Sequence, residues 1–387
     1  MSIRYPLSSS TWGEEELEAI QSVIDRDSFT MGDKVAEYER AFSQYLNVKH
    51  CVMVSSGSSA NLLATAALFF TKSPMLKESD EVIVPAVSWS TTYFPLQQYG
   101  LKLKFVDIDI ETLNYDLNAL KAAVSENTKM IMAVNLLGNS NDYQEIENII
   151  AEKDILILED NCESLGAEYN GKKTGTFGIM GTFSSFYSHH IATMEGGMIA
   201  VNDEELYHIL LSLRAHGWTR NLPDKNHVSN KSKDPFYESF RFILPGYNVR
   251  PIEMSGAIGI AQLSKLDDFI KVRQENASIF KDLFHNHNDF YIQKEIGNSS
   301  WFGFSLILKK HSAISRDDLL KKLSKNNIEY RPIVTGNFTN NEVMKYFDYD
   351  IHETLSNADH LDSNGLFVGN HHLNLEKEIS HLHNVLS

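Results

Sequence analysis

Cysteine is scarce in this sequence of 387 residues, which contains only Cys51 and Cys162. Two thiols exclude a disulfide framework, and they are too few for a structural zinc site made of cysteines or for a four-cysteine iron–sulfur cluster. We therefore expect no metal centre, and a fold that is stabilised by its hydrophobic core.

Long apolar runs and an excess of basic residues are also missing. No stretch approaches the roughly 20 apolar residues that span a bilayer, and the segment 1–10 has no apolar run typical of a secretory signal. The formal net charge of −16 argues against a nucleic-acid groove, which needs a dense basic face. We expect a cytoplasmic protein that binds neither membranes nor nucleic acids.

The order of apolar and polar segments predicts an α/β protein. Helical patterns begin at Glu14 and cover 35–46, and from His50 to Asp160 short apolar runs typical of strands alternate with helical stretches. This alternation indicates a mostly parallel sheet with helices on both faces. In such sheets ligands bind beyond the carboxyl ends of the strands.

The rest of the chain predicts a loop and a smaller domain. The polar segment 221–234 reads as a loop, and we expect a large domain at 1–254 and a smaller α+β domain at 255–387. The elements predicted in the smaller domain are helices at 265–284 and 316–325, a strand at 301–308, and the segment IEYRPIV.

Three motifs contain residues suited to a cofactor site, and each alone has an ordinary alternative. VSSGSSAN at 54–61 favours phosphate binding at a helix N-terminus, or is simply a serine-capped helix. ILILEDNCESLGA brings Asp160 and Glu163 to a strand end, where a carboxylate either pairs with a protonated ring nitrogen or faces solvent. His189 and His190 read as core or surface residues, since no HExxH pattern supports a metal site.

Together, the motifs resemble the sugar-nucleotide aminotransferase family of pyridoxal phosphate-dependent enzymes. The shared order is a glycine–serine loop, an aromatic residue after a strand, EDNCE, a serine, a key residue five positions later, and EGG six positions after that. The resemblance covers most of the chain. It implies an aspartate-aminotransferase-like fold with a large and a small domain, and a homodimer with shared active sites.

The resemblance assigns four residues to the phosphate of pyridoxal or pyridoxamine phosphate. Gly57 and Ser58 would hold the phosphate through their loop, and Ser184 would add its hydroxyl group. Asn248, in PGYNVRP, would reach across the dimer to the phosphate of the neighbouring subunit.

The resemblance also assigns the ring contacts and exposes one departure. Trp89 would stack on the pyridine ring, Asp160 would bind its protonated nitrogen, and Glu163 would lie beside it. Where the family has lysine, five positions after the serine, this chain has His189. An imidazole cannot hold the cofactor covalently, so ordinary lysine-based amino transfer is put in doubt.

This departure, with segments such as SSFYSHHIATMEGG and RAHGWTRNLP, resembles the lysine-free branch of the family. That branch removes the 3-hydroxyl group of a GDP-linked 4-keto-6-deoxy sugar on the route to the dideoxysugar colitose. The resemblance implies glutamate as the nitrogen donor, and ammonia and 2-oxoglutarate as products. Histidine suits the chemistry, because an ordinary pKa near 6.5 leaves it largely neutral at pH 7, whereas lysine is protonated. His189 would then act as the general base, and once protonated it would help the hydroxyl group to leave.

Several further residues are candidates for the substrate. His190 competes with His189, but the spacing to Ser184 and Glu195 favours His189. His216 would orient cofactor or substrate, or is structural. Three arginines have guanidinium groups that match a diphosphate or the carboxylate of glutamate: Arg220, Arg250 and Arg331.

Three other functions compete with this hypothesis. An iron–sulfur dehydratase acting on CDP sugars, with a reductase partner, is rejected because two cysteines cannot build its cluster. A cofactor-binding protein without activity would have lost its catalytic lysine by decay. The other residues expected in a cofactor site are retained, which argues against such decay: Ser184, Asp160, Glu163 and Trp89. An aminotransferase that recruits another lysine would become covalently labelled on borohydride reduction.

Overall fold

The computed structural model describes residues 4–151 and 153–387, so the first three residues of the predicted large domain lie outside it. The helices are α1 Glu14–Asp25, α2 Asp33–Leu46, α3 Gly57–Ala67, α4 Ser90–Gln98, α5 Leu117–Ala123, α6 Tyr143–Ile150, α7 Glu204–Leu213, α8 Pro235–Glu238, α9 Glu253–Phe284, α10 Arg316–Lys325, α11 Ser356–Asn364 and α12 Glu376–Leu386. The strands are β1 His50–Val54, β2 Glu81–Pro85, β3 Lys102–Val106, β4 Thr128–Val134, β5 Leu156–Asp160, β6 Glu168–Tyr169, β7 Lys172–Lys173, β8 Met180–Ser184, β9 Gly197–Val201, β10 Phe290–Tyr291, β11 Gly303–Leu308, β12 Tyr330–Arg331, β13 Tyr349–Ile351 and β14 Gly365–Gly369.

The large sheet has eight strands in the order β1-β9-β8-β5-β4-β2-β3-β13. Only β9 runs against its neighbours, and the other strands of this sheet share one direction. Strands such as β2 and β4 are buried along almost their whole length, as expected for a sheet covered on both faces. The prediction of a mostly parallel α/β sheet is confirmed.

The shared direction of the strands positions the candidate site. Because β1, β2, β5 and β8 run the same way, the segments that follow them meet at one edge of the sheet. These are the segments that begin at Ser55, Ala86, Asn161 and Ser185. None of the helices in 4–151 and 153–387 is long and apolar enough to cross a membrane.

A second sheet of four antiparallel strands, in the order β10-β11-β14-β12, lies in the C-terminal part of the chain. Its core contains Phe280, Phe304 and Leu382 together with Tyr5 from the N-terminus, whose hydroxyl donates to the Gly369 carbonyl at 2.7 Å. The small sheet therefore packs with α9, α12 and the first described residues. The division at residue 254 stays a prediction; it falls in the first turn of α9, and β13 from beyond it joins the large sheet.

Helix α9 begins at Glu253, so the predicted start at residue 265 was too late. The missed turns contain Gly256 and Gly259, which weaken a helical pattern. Their packing explains them: a Cβ on Gly256 would lie 2.7 Å from the Val35 nitrogen, and one on Gly259 would lie 2.6 Å from the Tyr38 ring. The glycines let α9 approach α2 closely. Helix α10 was predicted with its observed bounds, and 221–234 forms no helix or strand.

Candidate active site

The Asp160 carboxylate, at the end of β5, is the most strongly hydrogen-bonded group of the site. Its Oδ2 accepts from the Asn61 amide at 2.8 Å and from the Thr92 hydroxyl at 2.7 Å, and its Oδ1 accepts from the Cys162 N–H at 3.2 Å. The side chain is buried, and all three donors are uncharged. A buried carboxylate with only neutral donors has capacity for a cationic partner.

The N-terminus of α3 forms a tight cradle beside this carboxylate. Ser56 caps the helix by accepting from the Ser59 N–H at 3.1 Å. A Cβ on Gly57 would lie 2.7 Å from the Ser184 Cβ and 3.0 Å from the Cys162 Sγ, so only glycine fits. Backbone N–H groups at such a helix N-terminus favour an anion. Gly57 and Ser184 are therefore neighbours, as the resemblance implied.

Ser58 and Trp89 lie on the next segment of the edge. The exposed Ser58 hydroxyl donates to the Thr91 hydroxyl at 3.0 Å, which links the starts of α3 and α4. Trp89 precedes α4 and is 56% exposed, an unusual state for so large an aromatic residue. Thr335, from the C-terminal part of the chain, donates its hydroxyl to the Ser88 carbonyl at 2.7 Å. The Trp89 ring is thus open on one side and available for stacking.

Glu163 lies in a less polar environment than Asp160. Its Oε2 accepts from the Leu137 N–H at 3.1 Å. Burial raises the pKa of Glu163 to about 7, an effect that this hydrogen bond opposes and the nearby Asp160 charge reinforces. Leu137 holds its N–H in place with a φ of 51°, in the left-handed region that few leucines adopt. Glu163 is therefore poised to change protonation near neutral pH.

His189 lies in the loop between β8 and β9, against an aromatic wall. The His189 ring centroid lies 5.2 Å from that of Phe302 and 6.0 Å from that of Phe186, both in edge-on geometry. Its Nδ1 is buried and has no hydrogen-bond partner. Burial, and then the positive charge of Arg273, lower the pKa of His189 to about 4. The imidazole is therefore neutral at pH 7.

His190 has a different environment from its neighbour. It is fully buried, and its Nε2 lies 3.1 Å from the Ser300 carbonyl oxygen. Its ring lies 5.7 Å from Phe302. The structure therefore gives His190 the surroundings of a core residue, whereas His189 is only partly buried.

Two of the predicted arginines and Asn248 line one cleft of about 360 Å³. The cleft also contains Trp218, whose ring centroid lies 5.7 Å from the Arg250 guanidinium carbon. The Arg250 Nε donates to the Asn248 Oδ1 at 3.0 Å, and Arg220 is exposed. These donors suit an anionic ligand.

The other two substrate candidates lie outside the lining of this cleft. The His216 ring lies 4.8 Å from the Trp218 ring, at the edge of the cleft, and its backbone has a φ of 63°. Arg331 is exposed on β12 in the small sheet, four positions before Thr335. Roles for both residues stay predictions.

Sequence reasoning missed four residues that shape the site. Asn61 and Thr92 hold Asp160; both follow strand ends and stand at the start of a helix, which was the available signal. Phe302 and Arg273 form the wall behind His189, and they come from the C-terminal part of the chain. No local motif marks them, because only the tertiary fold brings them to the loop.

The residues present fit pyridoxal phosphate. The Gly57 cradle has no room for a Cβ, so its backbone N–H groups can approach an anion closely. The Asp160 carboxylate has only neutral donors and no cationic partner among them. The phosphate of the cofactor would fit the Gly57 cradle, and its protonated pyridine nitrogen would pair with Asp160. The exposed Trp89 ring suits stacking on the flat face of the pyridine.

The chain belongs to the DegT/DnrJ/EryC1/StrS aminotransferase family, whose model matches residues 10–386. More specifically, it is 64% identical over 386 residues to GDP-4-keto-6-deoxy-D-mannose 3-dehydratase of Yersinia pseudotuberculosis, covering 99% of this chain and 98% of the relative.

Solved structures agree with this likeness. The Escherichia coli GDP-4-keto-6-deoxy-D-mannose 3-dehydratase with bound hydrated pyridoxal phosphate superimposes with a TM-score of 0.99 at 62% identity, covering 100% of both chains. A structure of GDP-4-keto-6-deoxymannose 3-dehydratase with a trapped pyridoxal phosphate–glutamate geminal diamine has a TM-score of 0.98 at 62% identity, covering 99% of this chain and 100% of that one. The fold is that of the aminotransferases, as predicted.

Proposed function

We propose that the chain is a pyridoxal phosphate-dependent 3-dehydratase of GDP-4-keto-6-deoxy-D-mannose. It removes the 3-hydroxyl group to give GDP-4-keto-3,6-dideoxy-D-mannose, and glutamate recharges the cofactor with nitrogen, with release of ammonia and 2-oxoglutarate. The observation that carries the proposal is 64% identity along the whole chain to an enzyme of this name. The sugar product leads to colitose and lipopolysaccharide O-antigens, and the enzyme acts in the cytoplasm.

Different residues at the sheet edge bind the phosphate and the ring of the cofactor. Gly57, Ser58 and Ser184 hold its phosphate, while Asp160 holds the protonated ring nitrogen. When bound, the cofactor supplies an electron sink for the carbons of the keto sugar. Asp160 maintains that sink by pairing with the ring nitrogen, because Asn61 and Thr92 fix the orientation of its carboxylate.

His189 carries the proton transfers. Its Nδ1 is enclosed, so we place the transfer at Nε2. As a neutral imidazole it accepts a proton without first losing one, and as an imidazolium among aromatic rings it gives that proton readily to the departing 3-hydroxyl group. Phe302, which is buried, packs against the ring and shields that side of it from water.

Replacement of lysine by histidine directs the outcome. A lysine at position 189 would capture the cofactor covalently and direct the reaction toward an amino sugar. His189 forms no such bond, so the hydroxyl group is lost instead. Non-covalent contacts to the phosphate and the ring must then retain the cofactor between turnovers.

A homodimer with shared sites is part of the proposal. Four aromatic residues near the cleft are largely exposed in the single chain: Phe236, Tyr237, Phe240 and Phe242, with exposed fractions of 89%, 57%, 70% and 55%. Clustered exposed aromatic residues are typical of an interface. A second copy would cover them and bring Asn248 to the neighbouring phosphate. The adjacent arginines, Arg220 and Arg250, would bind the diphosphate of the sugar nucleotide or the carboxylate of glutamate.

The test is an assay with GDP-4-keto-6-deoxymannose, glutamate and pyridoxal phosphate. We expect ammonia and 2-oxoglutarate in equal amounts, and a sugar nucleotide that has lost its 3-hydroxyl group. An amino sugar without ammonia would identify an aminotransferase instead. Bound cofactor with neither product would identify a protein without this activity. Parallel assays with His189→Asn test the assignment of the base.

A further inference from the structure

The guanidinium of Arg273 has no role in the reaction described above, although it lies at the wall of the site. The side chain is 3% exposed on α9. Its Nη1 donates to the backbone carbonyls of Trp301, Phe302 and Asn370, at 3.4, 3.2 and 2.6 Å. All three partners are neutral, and burial lowers the pKa of Arg273 only to about 9, so the group is positive at pH 7. A buried charge held by carbonyl dipoles alone costs stability.

Arg273 is hydrogen-bonded to the backbone of the residue whose ring packs on His189. The Phe302 carbonyl accepts from Arg273, and the Phe302 ring lies 5.2 Å from the His189 ring. The preceding Trp301 has a φ of 46°, in the left-handed region that a bulky side chain rarely adopts. Its carbonyl is held by Arg273 and by the Asn370 amide, the latter at 2.8 Å. A strained backbone of this kind persists only when its surroundings hold it in place.

The positive charge of Arg273 opposes protonation of His189. Arg273 faces it from α9, and His190 lies beside it in the same loop. His371 and His372 lie in the field of the same guanidinium, and burial together with that charge lowers the pKa of both. Burial and the Arg273 charge outweigh the hydrogen bond to the Phe186 backbone, which by itself would favour a proton on His189.

We propose that Arg273 is a positioning residue for the histidine base. Its guanidinium holds the Trp301 and Phe302 carbonyls, and with them the Phe302 ring that packs against the His189 imidazole. The inference rests on the proposed role of His189. In the reaction, the base is kept unprotonated at neutral pH, and after it accepts a proton the Arg273 charge makes it a stronger acid toward the leaving hydroxyl group.

The experiment compares Arg273→Gln and Arg273→Met, which remove the charge, with Arg273→Lys, which keeps it. The midpoint of His189 titration is measured by NMR on apoprotein with labelled histidines, and its signal is identified by its loss in His189→Asn. We expect the midpoint to rise in both neutral variants and to stay low in Arg273→Lys. A midpoint that is unchanged in the neutral variants, or that rises as far in Arg273→Lys, overturns the proposal.

Arg214→Gln provides the matched control. Arg214 is also 3% exposed, but it pairs with Glu39 and donates to the Met53 carbonyl at 2.7 Å, in another part of the core. Its loss should leave the His189 midpoint unchanged. If the neutral Arg273 variants fail to fold, as judged by circular dichroism, the proposal is tested instead with the variant Phe302→Leu. We then expect a higher His189 midpoint and a lower kcat with little change in KM, and the absence of both overturns the proposal.

Kinetics separate this inference from the proposed function. In the neutral Arg273 variants that fold, the acid limb of the kcat/KM profile should move to higher pH together with the His189 midpoint. Full turnover by His189→Asn would refute the role of the base, yet the NMR midpoints would still show whether Arg273 controls the proton on His189. A moved midpoint with an unmoved acid limb would overturn the catalytic part of the inference.

Discussion

Asp160 and His189 are the two titratable groups on which the proposed chemistry depends, and their surroundings differ in kind. The Asp160 carboxylate accepts three hydrogen bonds from neutral donors. The His189 ring has an unpartnered Nδ1, aromatic neighbours and a buried cation nearby. The Asp160 region supplies hydrogen-bond donors to a carboxylate, whereas the His189 region lowers the pKa of an imidazole.

This difference explains how one site combines an electron sink with a base. A carboxylate paired with the ring nitrogen of a bound cofactor would favour the protonated form of that nitrogen. An imidazole that stays neutral is free to accept a proton at pH 7. Two of the three donors for Asp160, Asn61 and Thr92, come from helices that start at the sheet edge. Phe302 and Arg273, which act on His189, come from the C-terminal part of the chain. The two environments therefore come from different parts of the fold and can be changed separately.

The largest expected effect follows from removing the base. His189→Asn should lower kcat about 10²–10⁴-fold, because general base catalysis contributes that much. Ammonia release under saturating sugar nucleotide and glutamate measures the loss, and thermal unfolding controls for the fold. His189→Lys should lose dehydratase activity as well, and on borohydride reduction the chain should gain the mass of the cofactor. Full turnover by either variant would remove His189 from the mechanism.

The next effect follows from removing the charge on the other side. Asp160→Asn should lower kcat about 10²–10³-fold, because a preorganised charge is lost. Asp107→Asn is a matched control: Asp107 is also buried and accepts N–H bonds from Asn357 and Ala358, away from the site. The control should lose stability but retain its affinity for the cofactor. Equal loss of cofactor binding in both variants would contradict a specific role for Asp160.

A smaller effect should follow from weakening the support of Asp160. Thr92→Val removes one hydrogen bond of 2.7 Å to the carboxylate and keeps the volume of the side chain. Since a hydrogen bond to a charged group contributes about 1.5–3 kcal/mol, we expect cofactor affinity to fall roughly tenfold or more. Fluorescence titration with pyridoxal phosphate measures it. Unchanged affinity would show that the hydrogen bonds from Asn61 and the Cys162 N–H are enough to hold the Asp160 carboxylate in place.

The smallest effect concerns stability and pH. The pKa of Glu163 is raised to about 7 in the folded chain, above its ordinary value near 4.5. The folded state therefore holds the proton more tightly than the unfolded chain, and its stability falls as pH rises from about 4.5 to 7. Glu163→Gln lacks this penalty, so its gain in Tm over the wild type should be larger at pH 8 than at pH 5. An equal difference at both pH values would contradict the raised pKa.

Much of the Asp160 region could be predicted from sequence, because its residues follow apolar strands in short motifs. Gly57, Asp160 and Ser184 all lie at the carboxyl edge of one parallel sheet, where the strand pattern placed them. The surroundings of His189 could not be predicted in the same way. Phe302 and Arg273 are more than 80 positions away along the chain, and the start of α9 was missed because its glycines serve packing against α2.

The histidine itself shows the limit of local pattern. His189 and His190 are adjacent and identical in type, yet one is fully buried against the Ser300 carbonyl and the other is partly buried at an aromatic wall. In the sequence, only their spacing to Ser184 and Glu195 distinguished them. The depressed pKa of His189 depends on tertiary contacts that spacing does not encode.

The most direct test of a neutral base is the NMR titration of His189 in the wild-type apoprotein. We expect a midpoint of about 4, well below the ordinary value near 6.5, because burial and the Arg273 charge oppose the proton. The folded state should accordingly gain stability as pH rises from 4 to 6.5. A midpoint at or above 6.5 would contradict the claim that the surroundings of His189 lower its pKa.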